Sequence, residues 1–137
     1  MIKAKILHAG IANAPILYLE TSLSFWGGFD QTTGKIIDQY HPQSGQSIGG
    51  KVILMTESKG SGTASGALAE ALRRGTGPAA IILVKPDVNL AIGAAVAEQL
   101  YLAQCPILQV TANTLTKLKS MAQLRVTIDG EITKETS

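Results

Sequence analysis

The chain has 137 residues, 45% of them hydrophobic and only 4% aromatic, with 12 basic and 10 acidic side chains and a formal charge of +2. That length suits one domain burying roughly two thirds of its unfolded surface, and the near-balanced charge, with no run of cations, leaves no electrostatic footprint for nucleic acid. The single cysteine, Cys105, excludes an internal disulfide and cannot alone hold zinc or an iron–sulfur cluster, each of which takes several ligands.

In chain order, the first fifty residues read as β-rich and loop-rich. Lys3 to Leu7, Ala14 to Glu20 and Lys35 to Asp38 carry the apolar residues of short strands, and Gly27-Gly28 and Gly49-Gly50 mark turns. At Lys51 the rhythm changes. A short apolar strand, Val52 to Met55, runs into a glycine-rich segment and then an Ala/Leu helix to about Arg74, with Gly75 placed where a helix stops. Ala80 to Val84 predicts a second buried strand, Asn89 to about Tyr101 a second helix and Pro106 to Val110 a third strand. Strands separated by helices imply parallel pairing. A short helix at Thr114 to Lys119 and two strands around the Asp129-Gly130 turn close a single domain over residues 1–137, with 133–137 expected to fray. No apolar run reaches the roughly 18–20 residues of a membrane span, and the start lacks the basic-then-apolar pattern of a signal peptide, so a cytoplasmic protein with no membrane contact is expected.

The sharpest local signal is Lys59-Gly60-Ser61-Gly62-Thr63-Ala64-Ser65-Gly66, between a predicted strand and a predicted helix. Glycines let successive backbone N–H groups converge, and a helix start adds unpaired donors and a positive partial charge. Such a place binds anions, so Gly60, Gly62, Thr63 and Ser65 are candidate contacts for a substrate carboxylate or phosphate. The alternative is that the hydroxyls merely cap the helix and the glycines merely turn the chain. Asp87 lies about where a ribose-binding acid belongs, but Ser65 replaces the third glycine of the dinucleotide fingerprint, and no Gly-Lys-Ser/Thr completes a phosphate loop.

Five segments in order carry a wider resemblance: Leu23-Ser24-Phe25-Trp26-Gly27-Gly28-Phe29-Asp30, Asp38-Gln39-Tyr40-His41-Pro42-Gln43-Ser44-Gly45, Lys59-Gly60-Ser61-Gly62, Ala71-Leu72-Arg73-Arg74-Gly75-Thr76-Gly77-Pro78-Ala79-Ala80-Ile81-Ile82 and Ala91-Ile92-Gly93-Ala94. In this order they resemble the small subunit of the aconitase X family. The resemblance implies an α/β fold, the swivelling β/β/α domain of the aconitase small-domain type, here a β-rich N-terminal part followed by β-α-β-α-β. It also implies a large-subunit partner that holds an iron–sulfur cluster, so that no cofactor is expected on this chain alone. The family's members are hydro-lyases acting on cis-3-hydroxy-L-proline or on phosphomevalonate. Phe25-Trp26-Gly27-Gly28, His41-Pro42-Gln43-Ser44-Gly45 and Glu98-Gln99-Leu100-Tyr101 look more like the bacterial hydroxyproline type, whose product is 1-pyrroline-2-carboxylate. The run after Ser61 is poorer in serine than that type.

By the same resemblance the catalytic base falls on Ser61, with the partner's iron as Lewis acid. A serine hydroxyl is a very weak acid, so it needs convergent amides, a helix start or a cation, and Gly62, Thr63 and Lys59 are placed to supply them. Ser65, four residues on, is the alternative base. Asp30 and His41, in loops, are candidate substrate or interface contacts, against hydrogen bonding inside the loop. Trp26 beside Phe25 reads as an interface anchor, against core packing. His8 is expected at the surface, Arg73 and Arg74 at a helix carboxyl end, and Cys105 in a buried strand as a small hydrophobe. The rival from another class is a non-catalytic module that binds a small anion.

Overall fold

The structure is a computed structural model that describes residues 2–25, 27–58 and 63–135. Its elements are β1 (Ile2–Lys3), β2 (Lys5–His8), β3 (Ala12–Tyr18), β4 (Val52–Met55), α1 (Ala64–Arg74), β5 (Ala80–Leu83), α2 (Val88–Tyr101), β6 (Ile107–Gln109), α3 (Ala112–Leu118), β7 (Gln123–Val126) and β8 (Glu131–Lys134). Strands β3, β4, β5 and β6 are parallel neighbours in that order, with α1 and α2 as the crossovers from β4 to β5 and from β5 to β6 and a long loop joining β3 to β4. Every residue of β4 and β5 is buried, because both faces of the sheet are covered.

Period-two alternation divides these strands between two core layers. Ile53, Met55, Ile81, Leu83 and Ile107 pack with Ala67, Leu68 and Ala71 of α1 and Leu90 and Ala94 of α2. Val52, Leu54, Ala80, Ile82 and Leu108 face the other way, toward Leu115 and Leu118 of α3, Leu124 of β7 and Ile132 of β8. The alanines of α1 and α2 keep the two helices close to each other and to the sheet.

The sheet runs β1-β8-β7-β3-β4-β5-β6-β2, and its two outermost strands are consecutive in the chain. It therefore nearly closes on itself, with two corners. At the first, β1 pairs with β8, the backbone N–H of Ala4 donates to Gly130 O at 2.9 Å, and β2 then pairs with β6. At the second, residues 12–15 of β3 pair with β7 and residues 16–18 pair with β4. Pro15 sits at this switch, where a missing ladder donor is tolerated.

Three expectations are corrected. The apolar run 3–7 does not form one strand, because closure needs the break at Ala4. Residues 35–38 form isolated bridges, Phe29 to Ile36 and Lys35 to Ser47, rather than a strand. The apolar signal there comes from Ile36 being 1% exposed in a folded loop. Within the stretch 133–137 expected to fray, Thr133 and Lys134 instead pair with Arg125 and Leu124, while residues 136–137 lie outside the described residues. The backbone N–H of Glu135 donates to Gln123 O at 3.0 Å, and its carboxylate meets Arg125 Nε at 2.9 Å.

Candidate functional site

Helices α1 and α2 both start at the carboxyl edge of the parallel strands, where open α/β sheets place ligands. Ser61, the candidate base, lies outside the described residues, as do Lys59, Gly60, Gly62 and Trp26. What the structure describes is the frame on either side of the glycine-rich segment.

On the entry side, the backbone N–H groups of Val84 and Lys85 donate to Thr56 O at 3.0 and 2.9 Å, and Lys85 Nζ lies 3.4 Å from Glu57 Oε2. Ser58 Oγ donates to Asp87 Oδ2. The other oxygen of Asp87 accepts the backbone N–H of Asn89 at 2.9 Å and caps α2. Asp87, which a dinucleotide reading would direct at a ribose, is thus engaged by the helix start and by Ser58.

On the exit side, Thr63 holds the N-cap position of α1 with φ −85° and ψ −9°, and its side chain makes no capping bond. Asp87 and Thr111 do cap α2 and α3. The first turn of α1 has no acidic side chain, so nothing there opposes an anion. Ser65, half-buried, lies in that turn. A Cβ added at Gly93 of α2 would stand 2.5 Å from Ser65 O and 3.1 Å from Ser65 Cα, so glycine is what lets the two helices meet. This gives the Ala-Ile-Gly-Ala run a physical role: its glycine lets α2 pack against the first turn of α1.

The other candidates divide. His41 is 5% exposed, accepts the backbone N–H of Gln43 on Nδ1 at 3.0 Å and approaches Thr21 O with Nε2 at 3.2 Å. These partners specify the Nε2–H tautomer. Gln43 then clamps the chain leaving β3, donating to Tyr18 O at 2.8 Å and accepting from Glu20 N at 2.9 Å. His41 and Gln43 thus order the chain at the same edge as the helix starts. Asp30 lies elsewhere. Its carboxylate accepts Thr32 N at 2.9 Å and Thr33 Oγ1 at 3.0 Å, and these bonds hold it below the usual carboxylate value. It stands near Arg74, at the far end of α1, about 16 Å along the helix from Thr63.

At that far end Gly75 takes φ 79° and closes α1, and Thr76 Oγ1 donates to Gln31 O at 2.5 Å, tying the Asp30 loop down. Arg73 and Arg74 both pair with Glu70, whose carboxyl is pulled down to about 2 by the Arg73 hydrogen bond. They are helix-end cations, as expected. Phe25 is buried and meets Phe29 edge-on at 5.6 Å. The exposed apolar residues gather instead on α2, at Val88, Ile92, Val96 and Leu100. His8 is partly buried rather than at the surface, and its Nε2 lies 2.9 Å from Glu98 Oε1 outside hydrogen-bonding alignment.

Ser58, Gln43 and Gly93 were not singled out as site-building residues from sequence. An Asp one residue before a helix does signal a cap, whereas the Ser58 and Ser65 contacts depend on tertiary approach and leave no local trace.

The described residues do not fit a metal cluster. They include no group of three or more His, Cys, Asp or Glu side chains able to hold a metal ion. Cys105 is fully buried, and burial pushes its thiol up to about 12, opposite to what a thiolate ligand needs.

Among known proteins, a family model described as the aconitase X swivel domain matches residues 1–134. The cis-3-hydroxy-L-proline dehydratase of Pseudomonas aeruginosa is 43% identical over 107 residues, covering 78% of this chain and 18% of that protein. The corresponding enzyme of Hypocrea jecorina is 32% identical over 121 residues, 20% of its length. The chain therefore spans about a fifth of these two relatives. The phosphomevalonate dehydratase small subunit of Pyrococcus furiosus is 34% identical over 130 residues, covering 95% of this chain and 90% of that one. In structure, Thermococcus kodakaraensis aconitase X in its holo-form superimposes with a TM-score of 0.83 at 28% identity, covering 98% of this chain and 97% of that chain. With the family model spanning nearly every residue and the nearly closed sheet shared with a solved aconitase X, the chain belongs to the aconitase X swivel domain family.

Proposed function

We propose that this chain is the small, swivelling unit of a cytoplasmic hydro-lyase that removes water from cis-3-hydroxy-L-proline, acting with a large subunit. The observation that carries this reading is the 43% identity to the Pseudomonas aeruginosa enzyme named for that substrate. In the proposed reaction Ser61 removes the proton next to the substrate carboxylate, the 3-hydroxyl leaves as water, and the enamine rearranges to 1-pyrroline-2-carboxylate. The carboxylate is held at the start of α1 by backbone N–H groups of the glycine-rich segment, with Thr63 and Ser65 nearby. One feature supports that placement: the first turn of α1 carries no acidic side chain. The helix field favours both the bound carboxylate and a serine oxygen that must carry negative charge. The iron–sulfur cluster is assigned to the large subunit.

A second reading, phosphomevalonate as substrate, is favoured by one observation. The Pyrococcus furiosus small subunit matches this chain over nearly the whole length of both. The same helix start would then receive the carboxylate or the phosphate.

The test is co-expression with the large subunit, anaerobic purification, and dehydration assays on both substrates with wild type and Ser61→Ala. Activity on hydroxyproline that is lost in the variant is expected. Activity confined to phosphomevalonate selects the second reading, full activity of Ser61→Ala moves the base to Ser65, and failure to bind a large subunit favours a non-catalytic anion-binding module.

A further inference from the structure

The two sides of the glycine-rich segment are fastened to the same element. The entry side is tied through Ser58 to Asp87, the cap of α2, and the exit side is pressed at Ser65 against Gly93 of that helix. In the sequence only four residues, 59–62, separate these two anchored sides. Asp87 uses both carboxylate oxygens: one accepts the backbone N–H of Asn89 and caps α2, and the other accepts the Ser58 hydroxyl. A helix cap needs only the first of these bonds. The second joins that cap to the chain entering residues 59–62.

We propose that Asp87 is a positioning residue that fixes the segment carrying Ser61 by holding Ser58, an inference resting on the reading of Ser61 as base. Asp87 does not touch substrate. It sets where the reacting hydroxyl stands relative to the start of α1, and misplacement by about 1 Å is enough to cost on the order of a hundredfold in rate.

The decisive variant is Ser58→Ala, which removes the tie and leaves the Asp87 to Asn89 cap intact; Ser58→Thr keeps the hydroxyl and serves as rescue. In the co-purified enzyme, Ser58→Ala should lower kcat about 10- to 100-fold with KM changed less than about threefold, and Ser58→Thr should restore most of the rate. Independently of activity, amide hydrogen exchange measured on the full chain should rise about tenfold in the peptide covering residues 59–63, with no change in β4, β5 or the second half of α2. Unchanged exchange in that peptide overturns the inference whatever the enzyme does. Faster exchange with wild-type kcat, in an enzyme that Ser61→Ala inactivates, also overturns it, because the reading of the base then stands without the tie. Faster local exchange in an enzyme that Ser61→Ala leaves active overturns Ser61 as base and still supports Asp87 as the anchor of the segment.

Discussion

Replacing Gly93 by alanine tests the close contact between α2 and the first turn of α1. The added Cβ would lie 2.5 Å from Ser65 O, 3.1 Å from Ser65 Cα and 3.2 Å from Ser65 C. All three neighbours are backbone, so no side chain can swing aside, and the first turn of α1 must recede by about 0.8 Å to reach ordinary contact distance. Overpacking of this kind costs about 1–3 kcal/mol. Alanine regains about 1 kcal/mol of helix propensity, which leaves a net loss of about 1 kcal/mol. Gly66 is the control: it lies in α1, is exposed, and a Cβ there meets nothing within 4 Å. Gly66→Ala should therefore gain about 0.5–1 kcal/mol. For a chain of this size the two variants should differ in Tm by about 6–10 °C, read by circular dichroism melts. A Gly93→Ala variant that melts at or above Gly66→Ala would refute the close approach as the reason for glycine at position 93.

Leu102 holds the left-handed conformation at the end of α2, with φ 58° and 84% exposure, so its side chain contributes little packing to offset the strain. Leu102→Gly should raise stability by about 0.5 kcal/mol, the relief of about 1–2 kcal/mol being partly offset by the flexibility of glycine in the unfolded chain; a lower urea midpoint would contradict this. Cys105, with its thiol pushed up to about 12, should carry a thiolate fraction of only ~10⁻⁴ at pH 8, so iodoacetamide should label it at least about a thousandfold more slowly in the native protein than in urea. Labelling at equal rates would place the thiol at the surface. Asp30 is held below its ordinary value of 3.8, first by Thr32 N–H and then by Thr33 Oγ1. Its folded value is depressed, so its contribution to stability is present above about pH 4 and is lost as pH falls through the folded value. Urea midpoints measured from pH 5 to pH 2 should fall less steeply for Asp30→Asn than for wild type, and equal slopes would sink the assignment.

The local signals in this chain are strong where one element can be recognised without its neighbours. Val52 to Met55 and Ala80 to Val84 are continuous apolar runs, which only a strand buried on both faces requires, and Gly75 and Asp129-Gly130 mark turns by their need for positive φ. The order of those runs around two helices was enough to imply parallel strands, and the five segments read together were enough to place the family. Closure of the sheet was not legible: Ala4 and Pro15 become corners only because β8, β6, β7 and β4 arrive from distant parts of the chain. For the same reason residues 35–38 resembled a strand, since burial of Ile36 leaves the same apolar mark whether a ladder or a folded loop causes it. At the candidate site, the glycine-rich segment and its serines could be recognised from composition and order. The roles of Asp87 on Ser58, of Gly93 against Ser65, and of His41 and Gln43 at the end of β3 are contacts between residues 2 to 29 positions apart. Only packing brings the distant partners together, and a hydrogen bond or a missing Cβ gains its meaning from the neighbour it meets.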